Sequence, residues 1–197
     1  MGKRLGVMGG TFDPIHYGHL VTAEEALVQY SLDGVVFVPT GRPWMKQDRS
    51  VSPAEDRYLM TVIATASNPR FQVSRIEIDR DGPTYTVETL RALADEHPDA
   101  ELYFITGADA MLEIFDWKEP NEALDLAHFI AATRPGYDLA RFESRTPTRH
   151  PNVSVMNVPA LAISSTDIRD RVRGTRPIRY LVPEGVKTYI DKAGPYR

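Results

Sequence analysis

The sequence predicts an α/β fold, a parallel sheet covered by helices on both faces, and three observations predict it. Short β-rich runs alternate with helical patterns along the chain. Some of those runs, such as Gly-Val-Val-Phe-Val-Pro at 34–39, are apolar throughout, as strands buried on both sides are. Polar, glycine-bearing segments follow the strand ends at 9–19, 41–46, 107–109 and 134–137, where open α/β sheets bind ligands.

The elements read in order as follows. Residues 5–8 form the first strand, 17–30 the first helix and 34–39 a buried strand. Residues 41–51 are polar and hold Pro43, so they form a loop. Ser52-Pro53-Ala54-Glu55 opens a helix to about 67, with serine as cap, proline at the first helical position and glutamate closing a capping box. Residues 71–78 are a strand, 86–97 a helix with Thr86 as its cap, and 102–106 a strand. Residues 108–117 carry a helical pattern, and 129–133 and 153–158 are further strands. Residues 164–173 form a helix with Gly174 at its C-terminal end, and 183–193 form the last helix.

Composition bounds the function. The 197 residues are 42% apolar and 25% charged, which suits one folded domain over 1–197. Its helical C-terminal part spans about 160–197. The net charge of −4 implies no broad basic face, so duplex nucleic acid is a poor partner. There is no cysteine, which excludes disulfides and thiolate metal sites. No run of 18 apolar residues spans a membrane and the N-terminus is no signal peptide, so the cytoplasm is the expected location. A homo-oligomer is compatible with all of this.

The chemistry concentrates in Gly9-Gly10-Thr11-Phe12-Asp13-Pro14-Ile15-His16-Tyr17-Gly18-His19. Glycines allow close backbone approach, and a helix start offers unpaired N–H groups at a positive dipole end, which suits phosphate. His16 and His19, three apart, share a face of the first helical turn, and Gly18 leaves room for a ligand or a neighbouring helix. The segment is neither a dinucleotide glycine fingerprint nor a Walker A loop. Taken alone, paired histidines near a helix start are more often cap or surface residues.

The string resembles the N-terminal signature of the His-x-Gly-His nucleotidylyltransferases, and most closely the bacterial nicotinate-mononucleotide adenylyltransferases. A second signature, Ile163-Ser164-Ser165-Thr166-Asp167-Ile168-Arg169, lies near the other end of the chain. Gly107-Ala108-Asp109, Phe115-Asp116-Trp117, Tyr85-Thr86 and Thr133-Arg134-Pro135-Gly136 also look like that family. The resemblance implies a doubly wound Rossmann-like fold. It also implies transfer of AMP from ATP to nicotinate mononucleotide, with Mg²⁺ arriving on ATP, in NAD biosynthesis. By position, His16, His19 and Arg169 would be catalytic. Gly9, Gly10, Thr11, Phe12, Lys46, Gly107, Asp109, Ser165 and Thr166 would bind ATP. Tyr85, Thr86, Trp117 and Arg134 would bind nicotinate. One departure is plain: Trp44 and Met45 replace the family's usual neighbours of Lys46.

The residue types fit that reaction. A phosphate monoester with a second pKa of about 6 is already mostly a dianion at pH 7, so no general base is required. The reaction needs in-line placement of two polyanions and neutralisation of developing charge, for which histidine, arginine, Mg²⁺ and a helix N-terminus suffice. No residue cluster suggests a protein-held metal. The alternatives are transfer to the amide mononucleotide or another phosphate acceptor, such as phosphopantetheine. From other classes come an idle nucleotide sensor and an interaction scaffold. Two intact phosphate motifs argue against both.

Overall fold

The computed structural model describes residues 2–42, 51–133, 151–159 and 161–196. Six strands, β1 (Lys3–Gly10), β2 (Gly34–Pro39), β3 (Phe71–Val73), β4 (Ala100–Gly107), β5 (His128–Thr133) and β6 (Val153–Asn157), form one sheet. Every strand pair is parallel, and the order is 3-2-1-4-5-6. The helices are α1 (Tyr17–Gln29), α2 (Ala54–Thr65), α3 (Thr86–Glu96), the single turn α4 (Ala108–Met111), α5 (Pro120–Leu126), α6 (Ser165–Arg173) and α7 (Glu184–Ala193). A 3₁₀ turn at Ile114–Asp116 separates α4 from α5.

Strand residues divide by parity between two cores. Val35 and Phe37 face a layer built from α1, α2, α6 and α7, while Val36 and Val38 face one built from α3, α4 and α5. The same alternation sends Ile105 and Ile130 one way and Phe104 and Phe129 the other. Burial on both sides explains why these runs are continuously apolar. The strand order reverses between β1 and β4, whose carboxyl ends carry Gly9-Gly10 and Gly107 and open the crevice such sheets use for ligands.

Four local expectations need correction. The strand expected at 71–78 stops at Val73, because the chain coils: Ile76 N–H donates to Ser74 Oγ (3.1 Å) and Asp79 N–H to the Arg75 carbonyl (2.9 Å). Ser52 does not cap α2. Pro53 holds the cap position without a side-chain cap bond, and Ser52 is drawn into contacts with Asp13 and Arg57. Tyr85, not Thr86, holds the cap position of α3, so Thr86 is its first helical residue. The pattern at 108–117 breaks into α4 and the 3₁₀ turn, and α5, with Pro120 at its start, went unforeseen.

Candidate active site

A cleft of about 560 Å³ opens at the switch point. Of the candidate residues, Gly9, His16, His19, Gly107, Asp109 and Ser165 line it, joined by Thr22 and Thr133. Val158, Pro159, Leu161 and Ile163 form an apolar wall. Lys46 and Arg134 lie outside the described residues, as do Trp44 and Met45.

The first motif is held by its own rings. The buried Phe12 adopts a left-handed backbone (φ 49°), a strained conformation for a bulky residue. Its ring meets His19 edge-on at 5.1 Å and Phe37 at 5.8 Å. A Cβ on Gly10 would come within 2.7 Å of that ring, and one on Gly18 within 3.0 Å of the His16 imidazole. Glycine at 18 thus makes room for the His16 ring and also lines the cleft. His16 and His19 stack with centroids 3.8 Å apart, and the His16 backbone N–H donates to His19 Nδ1 (3.2 Å). An accepting Nδ1 puts the proton of the neutral ring on Nε2, which makes Nε2 the donor.

The second motif closes onto the first. Ser164 caps α6 by accepting from Asp167 N–H (3.2 Å). Ser165 Oγ donates to the Pro14 carbonyl (2.9 Å), across 151 positions of sequence. One Arg169 terminal nitrogen donates to the Asp13 carbonyl (2.7 Å), the other to Thr166 Oγ1 (3.4 Å).

Beneath the loop lies a group the sequence did not reveal. Arg57 of α2 is 1% exposed. Its guanidinium donates to the carbonyls of Ser52 (2.9 Å), Thr11 (2.9 Å) and Gly41 (3.1 Å). Burial pulls its pKa below the usual arginine value, opposed by Asp13, Tyr196 and Glu77. Glu77, also buried, has its carboxyl pushed up chiefly by desolvation, while Thr89 donates to it (2.7 Å). A Cβ on Gly41 would lie 2.0 Å from the Glu77 carbonyl oxygen, so only glycine fits there. Nothing in Glu-Asp-Arg-Tyr, an ordinary helical stretch, signals that Arg57 turns inward.

Of the residues matched to nicotinate binding, Tyr85, Thr86 and Trp117 are not among those lining this cleft. Trp117 follows the 3₁₀ turn and packs edge-on to Phe104 (6.2 Å) and tilted to Phe129 (6.4 Å). Its buried indole N–H has no hydrogen-bond partner among the described residues, and such a donor is costly to leave so. Lys118 bridges to Tyr85, its ammonium 4.6 Å from the ring centroid and 2.6 Å from Glu88. Phe104 links the two regions, since a Cβ on Gly9 would meet its ring at 3.2 Å.

Among the described residues no helix is long and apolar enough to cross a membrane, and no three His, Asp or Glu side chains cluster to hold a metal.

Comparison with known proteins accords with this geometry. The family model described as cytidylyltransferase-like matches residues 7–171. A protein of Saccharopolyspora erythraea named "probable nicotinate-nucleotide adenylyltransferase" is 60% identical, covering 99% of this chain and 90% of its own. One of the same name from Streptomyces coelicolor is 60% identical over 96% and 99%. The Plasmodium falciparum nicotinic acid mononucleotide adenylyltransferase complexed with NaAD shares the fold, with a TM-score of 0.80. It is 21% identical, over 98% of this chain and 97% of that one. Sequence kinship at this level over nearly the whole length, on this fold, settles the family: the chain belongs to the cytidylyltransferase-like proteins and, within them, to the nicotinate-nucleotide adenylyltransferases.

Proposed function

We propose that this cleft binds ATP with its Mg²⁺ and, beside it, nicotinate mononucleotide, and joins them into nicotinate adenine dinucleotide for NAD biosynthesis in the cytoplasm. The observation that carries the reading is the meeting of two phosphate-type motifs, 151 positions apart, at one crevice.

An acceptor phosphate oxygen attacks the α-phosphorus of ATP. The bond from that phosphorus to the β-phosphate bridge oxygen breaks, and pyrophosphate leaves with the electron pair. Because the acceptor is already a dianion, the protein need not take a proton. Its task is alignment and charge stabilisation. The Nε2–H of His19, with His16 stacked on it, donates to the triphosphate. The α1 start and the backbone of Gly9, Gly10, Thr11 and Phe12 line the phosphate path. Ser165, Thr166 and Arg169 hold the triphosphate from the other side, the Arg169 guanidinium neutralising charge on the leaving pyrophosphate, and Asp109 takes the ribose hydroxyls. Lys46 adds a cation from its loop. Mg²⁺ is bound as part of the nucleotide, by phosphate oxygens and water.

On the acceptor side Trp117 stacks on the pyridine, and Tyr85 and Arg134 frame it. The α3 start at Thr86 presents N–H groups to the carboxylate, and the indole N–H supplies a further donor. The deciding assay follows pyrophosphate release with ATP, Mg²⁺ and each acceptor in turn. Nicotinate mononucleotide should give pyrophosphate and dinucleotide in equal amounts. Release with phosphopantetheine, and none with pyridine mononucleotides, would refute the assignment.

A further inference from the structure

The first motif contains a buried carboxylate that the reaction as written does not use. Asp13 is 4% exposed. Its Oδ1 accepts a hydrogen bond from the Tyr196 hydroxyl (2.9 Å), across 183 positions of sequence. Its Oδ2 accepts from the Ser52 backbone N–H (3.3 Å) and lies 4.0 Å from Arg169. Its own backbone carbonyl is where Arg169 is fastened (2.7 Å). Asp13 therefore joins the loop, the arginine and a residue beyond α7.

Tyr196 reaches that position by design of the local chain. Gly194 ends α7 in the left-handed conformation (φ 67°), its N–H returning to the Ile190 carbonyl (3.0 Å). The chain then turns back, and the phenol enters the core beside Met60. Burial and the neighbouring Asp13 carboxylate push the phenol's pKa far up, so it stays protonated and donates. A hydrogen bond to a buried carboxylate is stronger and more directional than an exposed one.

We propose that Tyr196 is a positioning residue for adenylyl transfer: its hydroxyl orients Asp13, and Asp13 fixes the approach of the Arg169 guanidinium to the departing pyrophosphate. This rests on the assignment of Arg169 to the triphosphate. A guanidinium free to wander must be ordered at the moment of reaction, and one already placed need not be.

The test is a double-mutant cycle with Tyr196→Phe, which keeps the ring and removes the hydroxyl, and Arg169→Gln. Tyr196→Phe should lower kcat roughly fivefold or more, the loss of about one hydrogen bond, with both KM values within about twofold. In the Arg169→Gln background the same change should alter kcat less than about twofold, because the two act as one unit. A merely structural phenol would lower kcat by the same factor in both backgrounds, or lower the unfolding temperature while leaving kcat intact, and either result overturns the proposal. Asp13→Asn, which alters the hydrogen bond from its other end, should reproduce the kcat loss if Tyr196→Phe folds poorly; wild-type kcat there also overturns it. Wild-type kcat in Arg169→Gln alone defeats the arginine assignment and this proposal together. A slow Arg169→Gln beside a fully active Tyr196→Phe defeats this proposal only.

Discussion

The two sides of the candidate active site are built differently. On the phosphate side, groups far apart in sequence are tied by part-buried hydrogen bonds. Ser165 bonds to Pro14, Arg169 to Asp13, and the fully buried Arg57 to Thr11 and Gly41. On the acceptor side, Trp117 rests on Phe104 and Phe129, and the surroundings are ion pairs at the surface. These include Lys118 with Glu88 and Arg91 with Glu119 and Glu122. Exposed pairs of that kind contribute about 0–1 kcal/mol each. The difference matches the work assigned to each side. Stabilising charge that develops in the transition state requires donors placed in advance, whereas recognition of a flat ring can tolerate adjustment.

The largest effect that would break this contrast concerns Arg57. Arg57→Ala removes a fully buried side chain and leaves three part-buried carbonyls without their donor, and should cost about 3 kcal/mol or more in chemical denaturation. Lys118→Ala, on the acceptor side, should cost less than about 1 kcal/mol. Equal costs would mean that the two sides are equally rigid. His19→Ala comes next. Loss of a preorganised donor should cut kcat roughly 10²-fold or more, with little change in unfolding temperature. A variant keeping more than half the wild-type kcat removes His19 from the machinery.

The acceptor side should show smaller effects. The ratio of kcat/KM for nicotinate over nicotinamide mononucleotide should exceed about 10, or about 1.4 kcal/mol. The carboxylate gains from the α3 N–H groups at Thr86, where the neutral amide gains less. Trp117→Ala should weaken both acceptors by roughly 1 kcal/mol and leave that ratio nearly unchanged, since ring stacking does not distinguish acid from amide. A ratio that collapses with Trp117 would place the discrimination in the indole instead of the helix start.

Much of this was legible in the sequence, for a physical reason. The bounds of β2 and the course of α1 follow from local periodicity and punctuation, and the segments at 9–19 and 163–169 carry their chemistry in consecutive residues. Where an outcome depends on distant partners, sequence alone was silent or misleading. Arg57 looks like a solvated helix residue until the carbonyls of Thr11 and Gly41 surround it. Ser52 looks like a helix cap, yet Pro53 holds that position and the Ser52 backbone is tied to Asp13 and Arg57. Gly18 reads as space for a ligand and does line the cleft, but its second role, clearing the His16 ring, shows only in the structure. Asp13 stood inside the motif without a role because its partner lies 183 positions away.

The account holds that one cleft aligns two substrates for a single displacement, with no adenylyl group parked on the protein. Isotope exchange between ATP and labelled pyrophosphate, measured with Mg²⁺ and no acceptor, tests this most directly. The account predicts no exchange until nicotinate mononucleotide or the dinucleotide product is supplied. Exchange in the absence of both would show a covalent adenylyl-enzyme and contradict it.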